Sequence, residues 1–287
     1  MTIKQIEAIL EEGQSLKEIA QAYSEIASLK VKRLRIEVER NRVFFNELIK
    51  VYGLVKTLAI KKKIAISKPK KRLYILLTSN SRFYGNINSS LLNYFIGSTR
   101  QLQDVDRLIL GKVGINFFKA TKLLPDYKEA VLKEDMPTSQ ELIDLVKLSS
   151  EYNQVLVFHT KMKSLLTQMA TFTDITAVSL YMRDFYTSSF NVNIGENTTR
   201  FIFEPELVKI LQFFDHQILT LLLEQTFLES ELSRTASRFI TMDQAETEAN
   251  KFIKEYQSLK AYAKRSLNNN TILENFATMI AVRKAKE

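Results

Sequence analysis

The sequence predicts an α/β protein in which a long antiparallel coiled coil of N- and C-terminal helices carries an inserted Rossmann-like α/β domain. Three observations predict it. No glycine or proline occurs after Pro205, and none occurs between Gly13 and Gly53. The stretch between these two ends alternates short apolar runs with amphipathic segments, the pattern of a mostly parallel sheet wrapped by helices. The expected organisation is an N-terminal helix over 1–66, a Rossmann-like domain over 67–205 and a C-terminal helix over 206–287.

In the N-terminal helix, Leu16, Ile19, Tyr23, Ile26 (or Ala27) and Lys30 keep helical spacing, and Leu34, Val38, Phe45, Leu48 and Val51 prolong the stripe. In the middle, Leu73–Leu77 reads as a first buried strand and a helix follows near 90–101. Leu108–Leu110 is a second strand, closed by Gly111-Lys112-Val113-Gly114, with a helix beginning at Phe117-Phe118 and another over 141–150. Val155–Phe158, Ala177–Leu180 and Phe201–Phe203 read as the third, fourth and fifth strands, and Pro125 and Pro137 bracket a loop or helix start.

The C-terminal segment is long enough to span on the order of 120 Å at about 1.5 Å per residue. Leu228, Leu232, Ala236, Phe239, Met242, Ala245, Ala249, Phe252, Tyr256, Leu259, Ala263 and Leu267 recur at steps of three and four, which predicts a coiled-coil seam. A helix of this length needs a partner or a task that requires length.

Composition excludes several classes. No run of about 18 apolar residues exists, so no membrane-spanning helix is expected. Met1–Leu16 is too acidic and too weakly apolar for a signal peptide. With no cysteine there are no disulfides or thiolate metal sites, and the cytoplasm is the expected compartment. The net charge of +9 is local: Leu48 to Gln103 holds eleven Lys and Arg and no acid. That stretch, densest from Lys56 to Arg72, suits RNA, anionic lipid, an acidic protein or a solvated linker, and the absence of interleaved aromatics weakens the RNA reading.

Catalytic chemistry is not expected. The loop after the first strand, Thr78-Ser79-Asn80-Ser81-Arg82-Phe83-Tyr84-Gly85, has one glycine and bulky groups where a dinucleotide fold brings backbone to phosphate. Gly111 and Gly114 lack the Lys-Ser/Thr ending of a phosphate loop. His159 and His216 are expected to be structural, and pairs such as Glu11-Glu12 sit on solvated helix faces. No catalytic, cofactor or metal residues are assigned.

Five ordered motifs carry a family resemblance along nearly the whole chain. Glu229-Ser230, Ala236-Ser237-Arg238-Phe239, Met242, Ala245 and Ala249 resemble E-S-x-x-S-x-x-A-x-R-M-x-x-M-x-x-A-x-x-x-A of the gamma subunit of F-type ATP synthases. Thr78-Ser79 with Gly85 and Asn88 resembles that family's T-S-D-R-G-L-C-G-G-F-N, and Gly111–Gly114 with Phe117-Phe118 its G-K-K-G-x-x-F-F. Val155 to Gln168, with Ser164 and Gln168 in place, is similar to its strand and S-x-x-x-Q segment, and Phe201–Pro205 to its Y-I-F-E-P. There are departures. Glu18 and Gln21 replace two lysines of the N-terminal K-I-T-K-A-M pattern, while Lys30 stays. Ala263-Lys264-Arg265 and Asn268-Asn269 stand in for A-R-Q-x-x-I-T-x-E-L, and the end, Arg283–Glu287, is more charged than the family's apolar tail.

The resemblance implies a non-catalytic central rotor shaft that couples rotation to ATP synthesis or hydrolysis in an alpha/beta hexamer. It implies ring contacts at Ile19, Ala22, Tyr23, Ile26, Lys30, Arg238, Lys264, Arg265 and Asn269. Phe201 and Glu204 match positions at the foot, toward an epsilon-like subunit or a membrane rotor ring. The expected partners are therefore alpha and beta subunits, an epsilon-like subunit and, where a membrane sector is attached, its rotor ring. No nucleic acid and no direct membrane insertion are expected, and the place is the inner face of the cell membrane. Read without the resemblance, Ile19, Ala22 and Ile26 are plain coiled-coil core, and Lys264 and Arg265 are solvated charges. Two other readings remain: a shaft of a divergent ATP synthase-like ATPase whose hydrolysis drives another process such as gliding motility, and a coiled-coil scaffold or basic nucleic-acid-binding protein.

Overall fold

A computed structural model of the chain describes residues 1–61, 71–102, 104–124, 126–176 and 204–284. The helices are α1 (Ile3–Lys61), α2 (Ile87–Thr99), α3 (Lys112–Thr121), α4 (Ser139–Ser150) and α5 (Leu207–Lys284). The strands are β1 (Arg72–Leu77), β2 (Asp106–Leu110), β3 (Lys128–Ala130), β4 (Gln154–Met162) and β5 (Gln168–Asp174). The expected strands at 177–180 and 201–203, Pro125, and the side chains from Lys56 to Lys70 lie outside the described residues.

Two compact units result. The first comprises Met1–Ala27 with Phe239–Glu287, the second Ser28–Arg238. In the first, α1 and α5 run antiparallel: Glu7 pairs with Lys260 at 2.9 Å, and farther along α1 Gly13 faces Phe252 and Ile253.

In the second unit one sheet has the order β3-β2-β1-β4-β5, parallel except for β5, which pairs antiparallel with β4. Its three central strands, β2, β1 and β4, are buried on both sides, so successive residues feed two cores. Leu73, Ile75 and Leu77 face a cluster with Val155, Val157, Val146 of α4, Tyr52 of α1 and Leu219, Leu222 and Leu223 of α5. Tyr74 and Leu76 face Leu91, Leu92 and Phe95 of α2 and Phe118 of α3. The result is helix–sheet–helix layering with α1 and α5 on one side. Within this unit too α1 and α5 are antiparallel, with Leu34 and Val38 packed on Leu232 and Leu228, and the Tyr52 hydroxyl donating to Asp215 at 2.5 Å.

Local chemistry fixes the boundaries. Thr138 and Glu141 close a reciprocal capping box at the start of α4. Arg107 donates to the carbonyls of Thr99 and Leu102 at the end of α2, where a cation complements the helix terminus. Gly111, at φ +97°, turns β2 into α3, which starts at Lys112, five residues before the expected Phe117. β3 and β5 have no counterpart among the expected strands.

Candidate functional site

The α1 helix of the first unit has two faces, and their assignment differs from the sequence expectation. The residues turned toward α5 are Ile6 and then, at steps of three and four, Gly13, Lys17, Ala20, Ser24 and Ala27, all buried or half-buried. The larger apolar residues read as the seam are outside: Leu16 is 64% exposed, Ile19 54%, Tyr23 39% and Ile26 62%, with Ala22 exposed among them. Small seam residues allow close approach of the helices, so the big side chains are displaced to the other face. The plain core reading of Ile19, Ala22 and Ile26 is thereby overturned. On α5 the inner positions are Met242, Glu246, Ala249, Ile253, Tyr256, Lys260 and Ala263. They share Met242, Ala249, Tyr256 and Ala263 with the predicted seam; Ala245 and Leu259 are exposed instead, and Phe252, though 38% exposed, touches α1 at Gly13.

From Lys264 to Arg283 every residue of α5 is exposed. Lys264, Arg265 and Asn269 lie in this stretch, along with apolar residues that the sequence reading did not single out. Ile272, Leu273, Phe276, Met279 and Ile280 are each more than half exposed, at spacings that place them on one face. The signal was present, in steps of three and four after Asn269. Contiguous exposed apolar surface of this kind is characteristic of protein–protein or membrane interaction sites and ligand-binding grooves.

In the second unit two of the remaining expected contacts, Lys30 and Arg238, are engaged internally. Lys30 donates to the buried Glu231 at 2.5 Å while its own side chain stays half exposed. Arg238 donates to the carbonyl of Arg82 at 3.2 Å and lies 4.0 Å above the Tyr84 ring. Glu204 is exposed and Phe201 lies outside the described residues.

The carboxyl edge of the sheet, where open α/β folds hold ligands, is filled by the protein itself. Thr78 Oγ1 donates to the Leu110 carbonyl at 2.7 Å and accepts from the Gly114 amide at 3.0 Å. A Cβ on Gly111 would come within 2.3 Å of the Thr78 carbonyl oxygen, and one on Gly114 within 2.8 Å of Thr78 Oγ1. These glycines admit a neighbouring loop, not a phosphate. Asn80 and Tyr84 then bind Asp135, and Ser237 of α5 donates to the Tyr84 carbonyl, closing the crevice over β1.

His159, fully buried on β4, lies 2.9 Å from Thr173 Oγ1 and 3.2 Å from the Thr160 carbonyl. Burial pushes its pKa down to about 4 against the attraction of Glu229, so the ring is neutral. His216 is exposed on α5. Among the described residues no group of three His, Asp or Glu side chains is arranged to hold a metal, and no helix is long and apolar enough to cross a membrane.

Comparison with known proteins gives a consistent result. The family model for ATP synthase matches residues 2–266. The ATP synthase gamma chain of Xylella fastidiosa (strain 9a5c) is 20% identical over 94% of this chain and 96% of its own length. That of Clostridium acetobutylicum is 26% identical over 82% of each. Among solved structures, a chain of the Euglena gracilis mitochondrial ATP synthase (OSCP/F1/c-ring, rotational state 3) superposes with a TM-score of 0.68 at 15% identity, covering 100% of this chain and 96% of that one. A chain of the Tetrahymena thermophila ATP synthase central stalk and c-ring gives 0.58 at 19% identity, covering 79% and 99%.

Proposed function

This chain belongs to the ATP synthase gamma family, and on that premise we propose that it is the central rotor shaft of a rotary ATPase, a non-catalytic subunit turning inside a hexamer of alpha and beta subunits. The observation that carries the reading is the reversal of faces on α1. Small residues hold α1 to α5, and Ile19, Ala22 and Ile26 lie on the exposed face of α1, which supports a contact with another protein there.

The mechanism follows from asymmetry. Two antiparallel helices present different side chains in different directions, so in a pseudo-threefold ring each catalytic subunit meets a different surface. Each rotational position then favours a different set of nucleotide-site conformations by differential contact free energy. On α1 the contacts are Ile19, Ala22, Tyr23 and Ile26, on α5 Lys264, Arg265 and Asn269, with the exposed apolar residues from Leu267 to Val282 turning in the ring's bore. Lys30 and Arg238 reach the ring only with whatever their internal bonds leave free. Phe201 and Glu204 serve the foot, toward an epsilon-like subunit and a membrane rotor ring, at the inner face of the membrane. ATP chemistry resides in the ring, consistent with a crevice that the chain's own side chains occupy.

The test is the double variant Ile19→Glu/Ile26→Glu. Both positions are exposed, so the isolated chain should keep its thermal midpoint while incorporation into the alpha/beta hexamer is lost. Undiminished incorporation would refute the contact surface.

A further inference from the structure

The pattern E-S-x-x-S-x-x-A-x-R-M leaves open the two positions that Glu231 and Arg234 occupy in this chain. Arg234 is the largest fully buried side chain among the described residues, and Glu231 is fully buried beside it. Arg234 donates to Glu231 Oε2 from Nε at 3.2 Å and from Nη2 at 2.9 Å, to Ser230 Oγ at 3.1 Å, and to the Asp135 carbonyl at 3.3 Å. The other carboxylate oxygen of Glu231 accepts from Lys30 of α1. The Asp135 carboxylate accepts from the Asn80 amide at 2.5 Å and the Tyr84 hydroxyl at 2.7 Å.

One connected network therefore ties α1, α5, the loop after β1 and the loop before α4. A buried ion pair is a poor source of net stability, because removing two charges from water cancels most of their attraction. What it supplies is direction. Apolar contacts are indifferent to small rotations, whereas a guanidinium fork holds its acceptors at fixed angles.

We infer that Lys30, Glu231 and Arg234 form a torsional clamp that fixes the α1–α5 pair against the α/β layers of the second unit, so that torque passes between them without slippage. The inference rests on the rotor reading, and the three residues are positioning residues within it.

The full chain has no cysteine, so paired spin labels can be placed cleanly at Lys32→Cys on α1 and Asn93→Cys on α2, both exposed. The labelled chain is compared with the same chain carrying Glu231→Leu/Arg234→Met, which removes the pair without leaving a buried charge. A second comparison uses Lys30→Met, whose half-exposed side chain can be replaced with little risk to folding. At an unchanged thermal midpoint and mean distance, the distance distribution should become about twofold wider in each variant. An unchanged width in a folded variant would overturn the clamp. The rotor reading is tested separately, by entry of the labelled chain into a complex with alpha- and beta-like subunits. Failure there would refute that reading while the width measurement still reports on the clamp's stiffness.

Discussion

Gly13 of α1 lies so close to Phe252 of α5 that a Cβ added at Gly13 would sit 3.2 Å from Cδ1 of the ring and 3.4 Å from Ile253 Cγ1. The contact sets the spacing of the two helices in the first unit. Gly13→Ala should be close to neutral: helix propensity contributes about 1 kcal/mol, and shifting a ring that is 38% exposed offsets most of it. Gly13→Leu should cost about 1–3 kcal/mol by overpacking the seam. Urea denaturation of the two variants checks the difference.

The buried pair gives a sharper contrast. Glu231→Leu leaves Arg234 buried with only neutral partners and should cost about 3–5 kcal/mol, whereas Glu231→Leu/Arg234→Met should cost much less than the single change. Equal losses in the two would contradict the account of Arg234 as a charge held by Glu231.

Two glycines should respond in opposite directions. Gly111 has φ +97° and would place a Cβ 2.3 Å from the Thr78 carbonyl oxygen, so Gly111→Ala should lose at least about 2 kcal/mol from strain and clash. Gly97 lies in α2 with nothing within 4 Å of the position an added Cβ would take, so Gly97→Ala should gain about 0.5–1 kcal/mol. Thermal unfolding of both variants measures the pair.

His159 makes stability depend on pH. Its pKa falls from 6.5 to about 4 on folding, chiefly through burial, with Glu229 opposing and Lys161 and Arg234 adding to the shift. Above pH 6.5 neither state binds the proton and the contribution is whole. Between pH 6.5 and 4 only the unfolded chain binds it, and about 3 kcal/mol is lost across that window. His159→Gln should remove this component, so wild type should lose about 2 kcal/mol more than the variant between pH 7 and pH 5. Parallel pH profiles would contradict the assignment.

What the sequence disclosed, and what it hid, follows from how burial is written into a chain. The central strands were legible because Leu73–Leu77, Leu108–Leu110 and Val155–Phe158 are buried on both faces and read as unbroken apolar runs. β3 is Lys-Glu-Ala and β5 is a half-exposed edge, so neither shows such a run. The early start of α3 was masked by Gly114, which is needed for closeness to Thr78 and not for a turn. On α1, apolar spacing disclosed a face but not its partner. Leu16, Ile19, Tyr23 and Ile26 formed the stronger stripe, while the true seam of Gly13, Ala20, Ser24 and Ala27 is too small to register as hydrophobic. The Lys30–Glu231–Arg234 network was invisible because it joins residues about 200 positions apart.

Native purification of the tagged full chain, with mass spectrometry of the intact assembly, tests the rotor shaft most directly. The account predicts one copy of this chain with three alpha-like and three beta-like ATPase subunits. Recovery as a lone dimer, or with RNA in place of those subunits, would contradict it.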